Sequence, residues 1–93
     1  MAREKIRIMA PVDFLDQAIE LAQSLGYNIR YEYLGGASSG FCEFGGKRWI
    51  FVDVALNSLE QIDQIGTVLS SDPAIHLVEV PEKLAEYWHM HAA

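Results

Sequence analysis

The sequence predicts an α+β domain in which a three-stranded antiparallel meander packs against two or three helices. Three observations predict it: two segments carry apolar residues at helical spacing, β-favouring segments lie between them, and a Gly-Gly pair separates two of those segments. A helix with one apolar stripe needs a sheet or another helix to cover that stripe, and helices on one face of an antiparallel sheet satisfy this simply. One or two extra short strands, over 5–9 and 75–80, stay open.

Two amphipathic helices are predicted, one on each side of the β-favouring region. The first covers residues 13–25, since Asp13 can cap its amino end and Gly26 stands where a left-handed terminal residue belongs. The second covers Ser58–Ser70, because its first residue and Gln61 match a capping box. The residues at helical spacing are Phe14, Ala18, Leu21, Ala22 and Leu25 in the first helix, and Leu59, Ile62, Ile65, Gly66 and Leu69 in the second.

A third helix is predicted near the carboxyl end. Asp72-Pro73 ends the second helix, and Pro81 suits the first turn of a last helix over roughly 82–90. Residues 75–80 form either a short strand or an irregular apolar segment. An alternative βαββαβ arrangement of the ferredoxin type would use 5–9 and 75–80 as paired strands. The inner side of the last helix is predicted to carry Leu84, Tyr87, Trp88 and His91.

Three strands are predicted between the long helices. Residues 27–34 alternate with period two, so that Tyr27, Ile29, Tyr31 and Tyr33 share one face and Asn28, Arg30 and Glu32 share the other. Residues 41–44 and 47–54 flank a Gly-Gly pair, which favours a tight hairpin. The predicted register sets Phe44 opposite Lys47, Glu43 opposite Arg48, Cys42 opposite Trp49 and Phe41 opposite Ile50. Because 49–52 are apolar on both faces, the third strand is predicted to be central or covered on both sides.

Length and charge exclude several classes of protein. The 93 residues fit a single domain over 1–93, and a hydrophobic content of 51% supports a core without disulfides or metal. Seven basic and thirteen acidic residues give a net charge of −6. Three of the seven basic residues lie in the first seven positions: Arg3, Lys5 and Arg7. Phosphate-backbone binders need clustered cations, so nucleic-acid binding is not expected. Neither a membrane span nor a signal segment is evident, which predicts a cytoplasmic protein without membrane contact.

A small-molecule site in a regulatory module is one alternative function. The glycine-rich loop 35–40 could hold an anion with its backbone donors. The loop leads into a strand, however, and no Walker-type Lys follows it, which favours a plain connection between strands. The residues of this candidate ligand site are Gly35, Gly36, Gly40, Tyr31, Tyr33, Cys42 and Asp53.

A thiol-dependent enzyme is a second alternative. Cys42, the single cysteine, would be the nucleophile, with His76, His89 or His91 as its base. Its place in a strand beside aromatic residues instead favours an inert, buried thiol. Asp53 ends an apolar strand, where hydrogen bonding to the following turn is the simpler interpretation. The sequence therefore predicts no catalytic residue, no metal and no cofactor.

Residues 40–53, Gly-Phe-Cys-Glu-Phe-Gly-Gly-Lys-Arg-Trp-Ile-Phe-Val-Asp, resemble a pattern in small uncharacterised bacterial proteins. The shared features are G-x-C, a short turn with glycine, and an apolar strand that ends in Asp. Residues 25–32 and 80–87 are also similar to these proteins, and the resemblance covers about residues 14–87. It implies an α+β domain of a bacterial family without an assigned function, and it carries no catalytic residues across.

The function that the sequence predicts first is a non-catalytic interaction or accessory domain that self-associates as a homodimer. Its aromatic and apolar residues exceed what one covered sheet face needs, and tyrosine is favoured in interfaces. Neither nucleic acid nor a membrane is expected as a partner, and the identity of any small-molecule ligand is left open.

Overall fold

The computed structural model describes residues 11–35 and 40–89, which form a three-stranded sheet, three α-helices and one 3₁₀ helix. The predicted α+β class is confirmed, whereas the predicted strand over 5–9 lies outside the described residues. In chain order the elements are α1 (Pro11–Ser24), β1 (Tyr27–Glu32), β2 (Phe41–Phe44), β3 (Lys47–Asp53), α2 (Ser58–Ser70), the 3₁₀ helix (Pro73–Leu77) and α3 (Glu82–Tyr87).

The strand order is β1-β3-β2, so the central position of β3 is confirmed and the purely antiparallel meander is wrong. β2 and β3 form the predicted hairpin, with all four predicted residue pairs in place. β1, in contrast, pairs with β3 in parallel. Two further backbone hydrogen bonds continue these pairings past the strand ends: Val54 N–H donates to the Glu32 carbonyl, and Phe51 N–H donates to the Gly40 carbonyl.

The helices cover one face of the sheet and build the core there. The sheet contributes Tyr27, Ile50 and Val52, which point to the same side because the register sets Tyr27 and Ile29 beside Arg48 and Ile50. Residues from the helices complete the core: Leu15, Ala18, Leu21, Ala22, Leu25, Ile62, Ile65, Leu69, Ile75 and Leu84. Both predicted apolar stripes therefore face the sheet, except that Leu59 is 39% exposed.

The helix starts differ from the predicted caps. α1 begins at Pro11, two residues before Asp13, because proline is well suited to a first helical turn. α2 begins at its predicted residue, but Asn57 is the cap: its Oδ1 accepts from Glu60 N–H at 2.9 Å, and Glu60 Oε1 accepts from Asn57 N–H at 3.0 Å. The predicted capping box was thus one residue late, and Gln61 instead donates to carbonyls that precede the helix.

Residues 75–80 do not form the strand that a ferredoxin-type arrangement needs. They begin inside the 3₁₀ helix Pro73–Leu77, which Asp72 starts: its Oδ1 accepts from Ala74 N–H at 2.9 Å. Asp72-Pro73 therefore does more than end α2. An aspartate cap followed by proline favours a helical turn over an extended chain, since both residues fix the first turn.

α3 is shorter than predicted and ends at Tyr87, while His91 lies outside the described residues. Its Leu84 is fully buried, as the predicted inner side requires. Trp88, directly after the helix, donates its indole N–H to the Ile62 carbonyl at 3.1 Å. The indole lies against Gly66, where a side chain would leave it no room.

Candidate functional site

The sheet surface opposite the helices carries aromatic and charged side chains from all three strands. Strand alternation and the two registers determine which residues lie on this surface. No element formed by the described residues packs against it in the way α1 and α2 cover the other face. We call this surface the open face, and its residues are Asn28, Arg30, Glu32, Cys42, Phe44, Lys47, Trp49 and Phe51.

Aromatic side chains occupy the centre and one edge of the open face. Trp49 and Phe51 on the central strand are half-buried, and neither belongs to the core or packs against it. Phe44 on the edge strand is 59% exposed and stacks on Trp49, with 6.2 Å between ring centroids and 19° between ring planes. Aromatic rings in this offset geometry form a flat apolar platform.

A buried polar atom on the open face, the indole nitrogen of Trp49, lacks a hydrogen bond within the described part of the chain. The indole N–H of Trp49 is shielded from solvent, and none of the described residues offers it an acceptor. A buried donor without a partner is destabilising by about 1–3 kcal/mol. The indole that anchors the platform is therefore incompletely satisfied within a single described chain.

The charges on the open face balance one another more closely than those of the whole chain. Arg30 Nε and Glu32 Oε2 form an ion pair at 2.6 Å, and Lys47 adds a positive charge at the hairpin end. The carboxylate at the other end of β3, that of Asp53, is buried. Since the chain has a net charge of −6, the excess of acidic side chains lies elsewhere.

The predicted ligand-site residues do not come together. Tyr31 lies on the helix side of the sheet, whereas Cys42 lies on the open face. Tyr33 follows β1 and is 74% exposed, so the predicted common tyrosine face holds only within the strand. Gly35 adopts a positive φ of 61° beside the Tyr33 ring. The carbonyl of Gly40 accepts from Phe51 N–H and so extends the hairpin. Gly36 lies outside the described residues.

Asp53 has the structural role that its position in the sequence predicted. Its side chain is buried, and Oδ1 accepts from Ala55 N–H at 2.9 Å and from Leu34 N–H at 3.4 Å. Its own N–H donates to Gln64 Oε1 at 3.0 Å. Asp53 thus ties the ends of β1 and β3 to α2, and its Oδ1 accepts from two backbone donors.

Cys42 is exposed, so the predicted burial of its thiol is wrong. The reason is the strand order: β2 is an edge strand, and all four of its residues are exposed. Asp53 lies four residues along β3 from Trp49, the partner of Cys42, which corresponds to about 13 Å. Within the described ranges no three His, Cys, Asp or Glu side chains are placed to hold a metal.

A second group of polar side chains, which we call the polar cluster, joins four elements at the hairpin end of the sheet. It consists of Tyr27, Arg48 and Asp72. Tyr27 Oη donates to Asp72 Oδ2 at 2.7 Å, and Arg48 Nη1 donates to the same oxygen at 3.0 Å. Arg48 Nη2 donates to the Leu25 carbonyl, and the guanidinium carbon lies 4.3 Å from the centroid of the Tyr27 ring. Glu43 lies opposite Arg48, as the predicted register has it, but the ion pair of Arg48 is with Asp72.

The polar cluster shifts the titration of its members. Burial, followed by the hydrogen bond to Asp72, raises the pKa of Tyr27 from 10.0 to about 12. The hydrogen bonds from Ala74 N–H and then from Tyr27 lower the pKa of Asp72. The contacts in the cluster are therefore strongest when the Tyr27 phenol is protonated and the Asp72 carboxylate is ionised. Their role is structural, because they join the strands to the helices.

Alkaline pH is expected to weaken the fold through Tyr27. A raised folded-state pKa means that this contribution to stability is complete below pH 10 and is lost as the pH rises through about 12. Two pKa units correspond to about 2.7 kcal/mol, and we expect about 1–2 kcal/mol because the hydrogen bond between Tyr27 and Asp72 is only partly buried, so solvent screens it. Urea unfolding of wild type and Tyr27→Phe at increasing pH measures it. A wild-type loss no larger than that of the variant would contradict the expectation.

No family model, curated protein or solved structure matches this chain. The resemblance to small bacterial proteins thus stays a prediction. None of the helices formed by the described residues is long and apolar enough to cross a membrane.

The residues of the open face can be read from the sequence, but the uncovered surface that they form was not predicted. Phe44, Trp49 and Phe51 fall on one side once the hairpin register is applied, and that register was predicted. The signal available was the apolar character of both faces of β3, which we interpreted as a strand that is either central or covered on both sides; the central position is confirmed. The helices, however, all contribute to a core on the same side of the sheet.

Proposed function

We propose that this chain is a non-catalytic interaction domain that binds a second copy of itself through the open face. The observation that carries the proposal is the aromatic platform of Phe44, Trp49 and Phe51 on a sheet face that none of the described helices covers. Aromatic residues at the centre of a patch are the usual anchors of protein interfaces. The scattered positions of the candidate catalytic and ligand residues support a binding role over a chemical one.

Charge favours a second copy as the occupant of this surface. Two chains that each carry −6 repel one another through most of their surfaces. The open face avoids this repulsion, since Arg30 and Lys47 offset Glu32 there. If the strands of the two copies run in opposite directions, Lys47 at one end approaches the Glu32 end of the partner, which is a favourable arrangement.

The size of the open face sets the expected strength of the dimer. Three strands of up to seven residues offer roughly 300 Å² of flat sheet, which the side chains enlarge. A stable interface typically covers about 800 Å² on each partner, so this dimer belongs at the weak end of the range. We therefore expect monomers and dimers to exchange at micromolar concentrations.

Phe44→Lys is expected to abolish the dimer. The side chain is 59% exposed in the single chain, so a lysine is tolerated by the fold, but in the dimer it would place an ammonium group against the aromatic platform. Light scattering over a concentration series measures the effect: the wild type should approach twice the monomer mass at high micromolar concentration, and the variant should stay at the monomer mass.

Leu77→Lys is the matched control, because Leu77 is 85% exposed on the 3₁₀ helix and lies outside the open face. It introduces the same charge into an equally apolar surface position and should leave the dimer intact. A wild type that stays monomeric at hundreds of micromolar would refute the proposal. Equal loss of the dimer in both variants would show that the open face is not the specific interface.

A further inference from the structure

A groove of about 300 Å³ lies between α2 and the end of α3, on the helix layer and away from the open face. Gly66 forms its floor, and the indole of Trp88 lies directly against that glycine. Tyr87 and Trp88 supply aromatic walls, His89 lines the groove beside them, and Asp63 stands on the α2 side. The groove therefore combines a carboxylate with aromatic rings around a small concave space.

The hydrogen atoms of three polar side chains in the groove, those of Thr67, Ser70 and Trp88, already form hydrogen bonds. Thr67 Oγ1 donates to the Asp63 carbonyl at 3.0 Å, and Ser70 Oγ donates to the Thr67 carbonyl at 3.1 Å. The indole N–H of Trp88 donates to the Ile62 carbonyl at 3.1 Å. A hydroxyl that has donated its hydrogen keeps lone pairs that can accept, whereas an indole nitrogen does not. Thr67 and Ser70 therefore offer the groove acceptors.

Asp63 adds a negative charge to these acceptors. The side chain is exposed, and its carboxylate accepts a hydrogen bond from the Tyr87 phenol, whose pKa is raised by burial and then by the charge and the hydrogen bond of Asp63. The carboxylate is thus directed toward the aromatic wall of the groove. A site made of acceptor oxygens, one carboxylate and ring faces is complementary to a cation that carries N–H donors.

We propose that this groove binds a primary alkylammonium group, with Asp63 as its counter-ion, Thr67 and Ser70 as acceptors, and the rings of Tyr87 and Trp88 against its alkyl chain. The proposal is independent of self-association, because the groove and the open face lie on different layers of the fold. An anion is disfavoured by Asp63, and a neutral ligand forms no ion pair with that carboxylate.

Titration with butylammonium chloride, followed by the indole N–H signals in ¹H–¹⁵N NMR spectra, tests the proposal. The two tryptophans give two indole signals, and a Trp49→Phe variant assigns them. We expect a saturable shift of the Trp88 signal at millimolar ligand, with the Trp49 signal unchanged. Butanol, which has the same chain length and no charge, should bind at least about tenfold more weakly, since a charge-assisted hydrogen bond contributes about 1.5–3 kcal/mol.

Asp63→Asn is expected to weaken butylammonium binding at least about tenfold while the unfolding midpoint stays close to that of wild type. Glu20→Gln is the matched control: Glu20 is exposed on α1 and outside the groove, so its substitution changes the net charge equally and should leave the affinity unchanged. Three results would each overturn the proposal: a Trp88 signal that never saturates, equal affinity for butanol, or equal weakening by both substitutions.

Discussion

Arg48→Met is expected to lower the free energy of unfolding by about 3 kcal/mol. The guanidinium makes three contacts: with the Asp72 carboxylate, with the Leu25 carbonyl at the end of α1, and with the face of the Tyr27 ring. A hydrogen bond to a charged group contributes about 1.5–3 kcal/mol and a partly buried cation–π contact about 1 kcal/mol. Methionine keeps the apolar stem and removes all three, and urea unfolding at neutral pH measures the loss.

Arg48→Lys separates charge from geometry. A lysine ammonium can pair with Asp72, but it has no fork of donors to reach the Leu25 carbonyl at the same time. We therefore expect lysine to restore less than half of the stability lost in the methionine variant. Full recovery with lysine would show that a simple ion pair explains the role of Arg48, and an unchanged midpoint in Arg48→Met would contradict the account of the polar cluster altogether.

The polar cluster shows where local sequence reasoning succeeds and where it ends. The hairpin register was predictable, because Gly45-Gly46 determines which residues lie opposite one another, and Glu43 does lie opposite Arg48. The side chain of Arg48 nevertheless pairs with Asp72, 24 residues later in the chain. The sequence of the hairpin determines which of its residues lie opposite one another, whereas the contact between Arg48 and Asp72 depends on how α2 and the following turn pack.

The strand order has a similar origin. Periodicity predicted β1, β2 and β3, but it contains no information about which neighbour a strand chooses. A meander would have set β1 beside β2, whereas β1 lies in parallel on the far side of β3. That choice makes β2 an edge strand, which in turn exposes Cys42 and Phe44. The open face therefore follows from topology, and no single segment of the sequence predicts it.

Gly66→Ala is expected to destabilise the fold by about 2–4 kcal/mol, although alanine is the better helix former. A methyl group at this position would lie 2.5 Å from the Trp88 indole nitrogen, closer than any normal contact. The indole would have to leave α2, with loss of its packing and of its hydrogen bond to the Ile62 carbonyl. Expulsion of a tryptophan typically costs about 3–5 kcal/mol, and the gain in helix propensity offsets about 1 kcal/mol of it.

The decisive measurement is the same substitution without the tryptophan. In a Trp88→Ala background the three atoms nearest to the methyl group are removed, so Gly66→Ala should raise the free energy of unfolding by up to about 1 kcal/mol. The change of sign between the two backgrounds isolates the contact between Gly66 and Trp88 from helix propensity. Thr67→Ala, at an exposed position one residue further along α2, should change stability by less than about 0.5 kcal/mol in either background. If Gly66→Ala stabilises the chain that retains Trp88, then the indole does not rest on the glycine, and α3 and the groove beside it are placed differently.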